Sequence, residues 1–312
     1  MAKSNEFEIP RRPFGRSGEL VSILAFGGWH VGVPKTDRDA VRLMHAALDR
    51  GVTFFDNAWD YNDGLSERRM GQAIVDRRDK VFLMTKACVH GRDARVAMRQ
   101  LEESLRRLKT DHLDLWQIHE VSFENEPPSY FARGGAIEAL RKAKEQGKVR
   151  YVGFTGHKDP SLHLEMLSHG FPFDAVQMPL NCFDGQFRSF ERRVLPEVIR
   201  QGIAPIGMKS LGGDARSVTS RTVKPADAIS YSLSLPIATL VSGIDSMKVL
   251  DQNVAVAAGF KALAPRAMQA LRRKVAERAA DGRFELYKIG ITFDGPESRR
   301  QHGLPTAEEV PN

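Results

Sequence analysis

The sequence predicts an α/β fold, a closed (β/α)8 or TIM barrel, on three observations. From about residue 20 onward, short apolar runs alternate with stretches of helical periodicity. Counting from LVSILAFGG gives eight apolar strand candidates, each followed by a helix, with no hairpin signal between them. A doubly wound sheet would normally carry GxGxxG after its first strand, and AFGGWHVG lacks that spacing.

The first unit is LVSILAFGG followed by TDRDAVRLMHAALDRG, in which Ala40, Met44, Ala47 and Leu48 share one helical face. Thr36 with Asp39 makes a capping box, and Gly51 stands where a C-terminal cap belongs. The unit recurs as VTFFD then LSERRMGQAIVDRR, VFLMTK then DARVAMRQLEESLRRLK, LDLWQIH then GGAIEALRKAKEQG, and VRYVGFT then DPSLHLEMLSHG. In the third helix Leu101, Leu105 and Leu108 line the inner face, while Glu102–Arg106 and Glu103–Arg107 are spaced as exposed ion pairs. The last three units are DAVQM then SFERRVLPEVIRQG, IAPIGM then PADAISYSLS, and PIATLVSG then DSMKVLDQNVAVAAG. The chain is expected to be one domain, with the barrel over about 20–258 and an extra helix and surface tail over 259–312.

Composition narrows the function classes. Hydrophobic residues make up 42% and charged residues 27%, the balance of a globular protein with a sizeable core. The net charge of +7 is spread over RRPFGR, DRRDK, LRRLK and LRRK, which fits a solvated basic surface or a site for a phosphorylated ligand better than nucleic-acid binding. Cys88 and Cys182 are far apart, with no CxxC and no histidine at metal-ligand spacing, so neither a metal nor a disulfide framework is expected. With no apolar run of 18 residues and no leader-like N-terminus, the reading is a cytoplasmic protein without a membrane partner. Oligomeric state leaves no distinguishing mark, because an exposed apolar helix face looks the same as one packed on the barrel.

In a barrel of this kind, chemistry sits where strands end and βα loops begin. Asp56 follows VTFF, Lys86 follows VFLMT, His119 follows LDLWQI, Thr155 follows YVGF and Gln177 follows DAV, while Tyr61 lies in the loop after Asp56. A tyrosine hydroxyl titrates near ~10 and is a poor acid unless a cation stabilises its phenolate; Lys86 supplies that cation and Asp56 can orient it. His119 can donate a hydrogen bond to a carbonyl oxygen. The set suits proton donation to a carbonyl while hydride arrives from elsewhere.

GVTFFDNAWDYNDGLSERRMG, VFLMTK and LDLWQIH together resemble the aldo-keto reductase superfamily, with its D-x-A-x-x-Y-G-like turn, strand-end lysine and Q-x-H strand end. The resemblance spans roughly residues 11–258 and implies a tetrad of Asp56, Tyr61, Lys86 and His119, with an N-terminal β-hairpin ahead of the barrel. It implies NADPH, with NADH as the less frequent cofactor. Gly28 and Trp29 would flank the nicotinamide, and Thr155 and Gln177 would bind its carboxamide. Gly156 departs from the family's usual Asn, and Met208 stands where an aromatic ring usually stacks on the nicotinamide. Lys209, Leu211 and the small residues of SLGGD would lie along the cofactor, with Gly243 and Ser246 near phosphate and Gln252 and Asn253 near adenine. Val249 falls where an Arg often holds the 2′-phosphate, with Lys248 beside it.

The implied activity is reduction of an aldehyde or ketone by an NAD(P)H-dependent enzyme acting on a small-molecule carbonyl substrate. The rival is a nucleotide-binding regulatory or assembly subunit with little turnover. Trp29, Trp59 and Phe183 are candidate pocket aromatics, and SYFARGG (129–135) and NCFDGQF (181–187) candidate substrate loops.

Overall fold

The computed structural model describes residues 8–90 and 93–310. A two-stranded hairpin, β1 (Arg11–Pro13) and β2 (Leu20–Ser22), precedes eight parallel strands that close into a barrel. These are β3 (Leu24–Gly27), β4 (Phe54–Asp56), β5 (Phe82–Cys88), β6 (Leu113–His119), β7 (Val149–Thr155), β8 (Ala175–Pro179), β9 (Ala204–Met208) and β10 (Thr239–Gly243), with β10 pairing back onto β3. The helices of the wall are α1 (Asp37–Asp49), α2 (Leu65–Ile74), α3 (Ala94–Leu108), α4 (Glu126–Phe131), α5 (Ala136–Glu145), α6 (Pro160–Ser168), α7 (Phe190–Arg193), α8 (Leu195–Arg200), α9 (Arg216–Thr219), α10 (Pro225–Ser234) and α11 (Met247–Ala258). Beyond them lie α12 (Pro265–Ala279) and α13 (Pro296–Gln301).

Local chemistry explains where these elements start and break. LVSILAFGG forms two strands rather than one, because the Ser22 hydroxyl donates to Leu24 O (2.8 Å) and accepts from Thr53 N–H (3.1 Å), turning the chain from hairpin into barrel. Thr36 caps α1 by accepting from Asp39 N–H (3.1 Å), and Gly51 follows the helix at φ +86°, which a side chain would resist. The run SFERRVLPEVIRQG divides into α7 and α8 at Pro196, which lacks the N–H needed to continue a helix.

Two corrections concern charge and the tail. Glu102 pairs with Lys148 instead of Arg106, whereas Glu103 keeps its expected partner Arg107 at 3.7 Å and also accepts from Trp59 Nε1–H (2.7 Å). The spacing on the helix was right for local pairs, but for Glu102 a neighbouring element supplied a better partner. The tail neither frays nor merely crosses the surface. Tyr287, Lys288 and Ser298 are fully buried in it, and it lies over the barrel mouth.

Strand alternation places the site. Side chains two apart share a face, so Phe54 and Asp56, then Phe82, Met84 and Lys86, then Leu115, Gln117 and His119 form inward columns. Leu83, Ala87, Trp116 and Ile118 point outward into the apolar layer beneath the helices.

Candidate active site

Asp56 and Lys86 lie at the tops of two such columns, 3% and 1% exposed. The Lys86 ammonium donates to the Asp56 carboxylate, to Asn57 O (2.7 Å) and to the Tyr61 hydroxyl (3.4 Å). Burial pushes the Asp56 carboxyl up, and Lys86 pulls it back. The Tyr61 ring meets the edge of His119 at 5.5 Å and the edge of Trp29 at 5.5 Å. Tyr61 is followed by Asn62, Asp63 and Gly64, all at positive φ (53°, 53° and 75°), a left-handed turn that reverses the chain at once. Thus the four side chains from three strand ends and one loop converge.

One electrostatic expectation changes. Burial, then Asp56, Asp60 and Glu120, outweighs the nearby Lys86 and holds the Tyr61 hydroxyl well above its ordinary value in the free protein. The lysine's charge is already engaged by Asp56.

The remaining sequence candidates surround this centre unequally. Thr155 and Gln177 pair in register at the ends of β7 and β8, and Gln177 Oε1 is buried without a partner. Gly28 packs against Asp56 O too closely to admit a side chain, and Trp29 is 54% exposed. Gly156 cannot be the usual Asn here, since a Cβ would fall 2.6 Å from Val121 O and 2.7 Å from the His163 ring. Met208 packs on the barrel interior, and Leu211 packs on the outer core. Lys209, at φ +57°, sits 5.2 Å from the Tyr287 and Phe293 rings under the tail. Gly243 is covered by the His30 ring rather than forming an open cradle. Ser246 caps α11, Asn253 is buried and donates to Ser242 Oγ (3.0 Å), and Gln252 lies exposed beside it.

The aromatic pocket is smaller than expected. Phe183 is fully buried in the core, 5.1 Å from Phe284, and Trp59 is turned outward to Glu103, leaving Trp29 at the mouth. Both candidate loops serve the scaffold: Tyr130 is fully buried, and Asn181 donates to Tyr287 OH (3.1 Å) and Glu285 (3.2 Å).

Sequence reasoning passed over the tail and the acids it covers. Lys288 is held by Asp184 (2.8 Å) and Glu285 (2.9 Å), and Gly295 N–H donates to Glu120 (2.8 Å). His302 contacts Glu126 at 3.0 Å, and Glu126 also holds His90 at 2.7 Å and accepts from two backbone N–H groups. Burial pushes Glu120 up to about 8 and Lys209 down to about 8. The HE pair ending LDLWQIHE was the available signal for Glu120, and the two acids of DNAWDY for Asp60.

Eight parallel strands with ionisable groups gathered at their C-terminal ends define a (β/α)8-barrel enzyme. The profile of the aldo/keto reductase family matches residues 23–231, and the chain belongs to that family. It is an NAD(P)H-dependent oxidoreductase that acts on carbonyl compounds. It is 31% identical over 244 residues to the uncharacterized oxidoreductase YrpG of Bacillus subtilis, covering 69% of this chain and 72% of the relative. The fold is similar to the holo form of aldo-keto reductase AKR11C1 from Bacillus halodurans (TM-score 0.73, 22% identity, 86% and 96% of the two chains). It is likewise similar to an aldo-keto reductase from Klebsiella pneumoniae solved with NADPH (TM-score 0.71, 22% identity, 86% and 95%). Among the described residues no helix is long and apolar enough to cross a membrane.

Proposed function

We propose that this enzyme reduces an aldehyde or ketone to an alcohol with NADPH, Tyr61 acting as general acid and Asp56, Lys86 and His119 supporting it. One observation carries the reading: Tyr61, Lys86 and Asp56 share one buried chain of contacts, with the His119 ring 5.5 Å from Tyr61. A nicotinamide cofactor, when bound, supplies the hydride, and Gly28, Trp29, Thr155, Gln177 and Met208 would hold its ring end, where the unpartnered Gln177 oxygen suits a carboxamide N–H.

Tyr61 keeps its proton through the neutral range and releases it only to an oxyanion developing beside it. Lys86 then stands 3.4 Å from the phenolate, fixed by Asp56, and stabilises the charge left behind. His119 orients the carbonyl oxygen. Support for NADPH over NADH comes from the NADPH-bound structural neighbour and from exposed Lys248 next to Ser246 and Gln252, where the adenosine half would lie. The basic net charge suits the same phosphorylated cofactor, and we place the enzyme in the cytoplasm.

The test follows NADPH oxidation with aromatic, aliphatic and dicarbonyl aldehydes, wild type beside Tyr61→Phe, and repeats it with NADH. Turnover that collapses in the variant while NADPH still binds is expected. Wild-type turnover in Tyr61→Phe removes the assigned role.

A further inference from the structure

A carboxylate beside His119 Nδ1 belongs to the residue just before the tyrosine, and the Cys88 thiol lies within 4.8 Å of both side chains. Asp60 Oδ1 lies 3.2 Å from His119 Nδ1, with the two side chains 12% and 10% exposed. Neither atom has a hydrogen-bond partner in the free protein: the 3.2 Å contact is close but poorly aligned, as such bonds often are before a substrate is in place. The chain pins Asp60 locally, its carbonyl accepting from Asp63 N–H (3.2 Å) within the left-handed turn. The tail closes over it: a Cβ on Gly295 would sit 3.4 Å from Asp60 Oδ2 and 3.5 Å from Glu120 Oε1.

We propose, resting on the reductase reading above, that Asp60 is a positioning residue for His119: it holds the ring by Nδ1 and leaves Nε2 to meet the carbonyl oxygen. The chemistry follows from the ring's two nitrogens. A histidine whose Nδ1–H is given to a carboxylate carries an N–H at Nε2 only when doubly protonated. The donor to the carbonyl is therefore the imidazolium, and Asp60 is what keeps that form within reach.

The influences on His119 divide, and their net pull is downward. Burial drives His119 towards its neutral form, and Lys86 and His90 push the same way, while Asp60 opposes them. Burial drives His157, just beyond the next strand end, well towards its neutral form, so it adds no positive charge, and Asp56 lies on the negative side. Cys88 and Tyr61 have their pKa values pushed well up by burial and stay uncharged in the neutral range. Burial also acts on Asp60, raising its carboxyl, but His119 outweighs it and the net displacement is downward. Glu120, pushed up to about 8 chiefly by burial, faces Asp60 across Gly295, and Lys209, pushed down to about 8 chiefly by burial, pairs with Glu120.

Two experiments test the assignment. Nitrogen-15 NMR of the histidine rings in the intact wild-type protein is expected to show neutral His119 protonated at Nδ1. A neutral ring protonated at Nε2 overturns the proposal, and this readout needs no turnover, so its failure is distinct from failure of the reductase reading. Asp60→Asn keeps the shape and removes the charge: kcat for carbonyl reduction is expected to fall roughly tenfold or more, with NADPH affinity unchanged. The kcat–pH limb set by His119 should move to lower pH, a shift that a purely structural role would not cause. On a His119→Gln background the same change should cost nothing further. An unmoved limb, or losses that add, overturns the proposal; where the variant does not fold, the wild-type NMR result decides.

Discussion

At the floor of the barrel Phe54 stacks on Phe82 at 4.7 Å, and Phe14 of the hairpin sits 4.9 Å from Phe82 and 5.3 Å from Tyr151. At the mouth, two residues beyond Phe54 and four beyond Phe82 on the same inward faces, stand Asp56 and Lys86. The floor is apolar and sealed by the hairpin. The mouth holds ionisable groups away from water under a tail, with unpartnered polar atoms at Asp60, His119, His157 and Gln177. One strand thus carries stability at one end and chemistry at the other, because alternation fixes which face a residue takes and says nothing of its polarity.

Substitutions at the two ends should therefore fail in different ways. Tyr61→Phe is expected to lower turnover by about 10²–10⁴-fold while leaving the urea midpoint in place, read by steady-state kinetics beside denaturation. Phe14→Ala should do the reverse, costing about 3–5 kcal/mol of unfolding free energy with kcat per folded molecule retained. Loss of activity in Phe14→Ala without loss of stability would break the division. Lys288→Met tests whether the tail belongs to the mouth. It strands Asp184 and Glu285, should cost about 3 kcal/mol, and should expose the tail to limited proteolysis with KM raised before kcat.

The smallest effect is a pH dependence. Glu120 titrates at about 8 in the folded chain, above the ordinary carboxylate value, because burial disfavours its charge. Between the unfolded value and about 8 the folded state binds the extra proton, so the stability contributed by neutral Glu120 is present at low pH and lost as pH rises through about 8. Melting temperature should fall across that window in wild type and fall less in Glu120→Gln. An equal fall in both would place the titration elsewhere.

The strand-helix alternation was legible because each unit carries its own periodicity and caps, as TDRDAVRLMHAALDRG does with Thr36 and Gly51. The strand-end positions of Asp56, Lys86 and His119 were legible for the same reason, since they end apolar runs. The tail was not, because its Gly-, Pro- and charge-rich stretch has no period, and its buried Lys288 takes Asp184 as a partner from a loop far away in sequence. Trp59 and Phe183 read equally well as pocket or packing residues until Glu103 and Phe284 claimed them.

By itself the sequence determined that this chain closes an eight-stranded barrel and sets a tyrosine, a lysine and two further ionisable groups at its mouth, because local hydrophobic period and strand length are properties of short segments. Only the tertiary structure decided that the tail seals that mouth, that Glu102 turns to Lys148, and that Asp60 meets His119. Those outcomes depend on which distant groups are left without water and without a partner, and no local pattern records that.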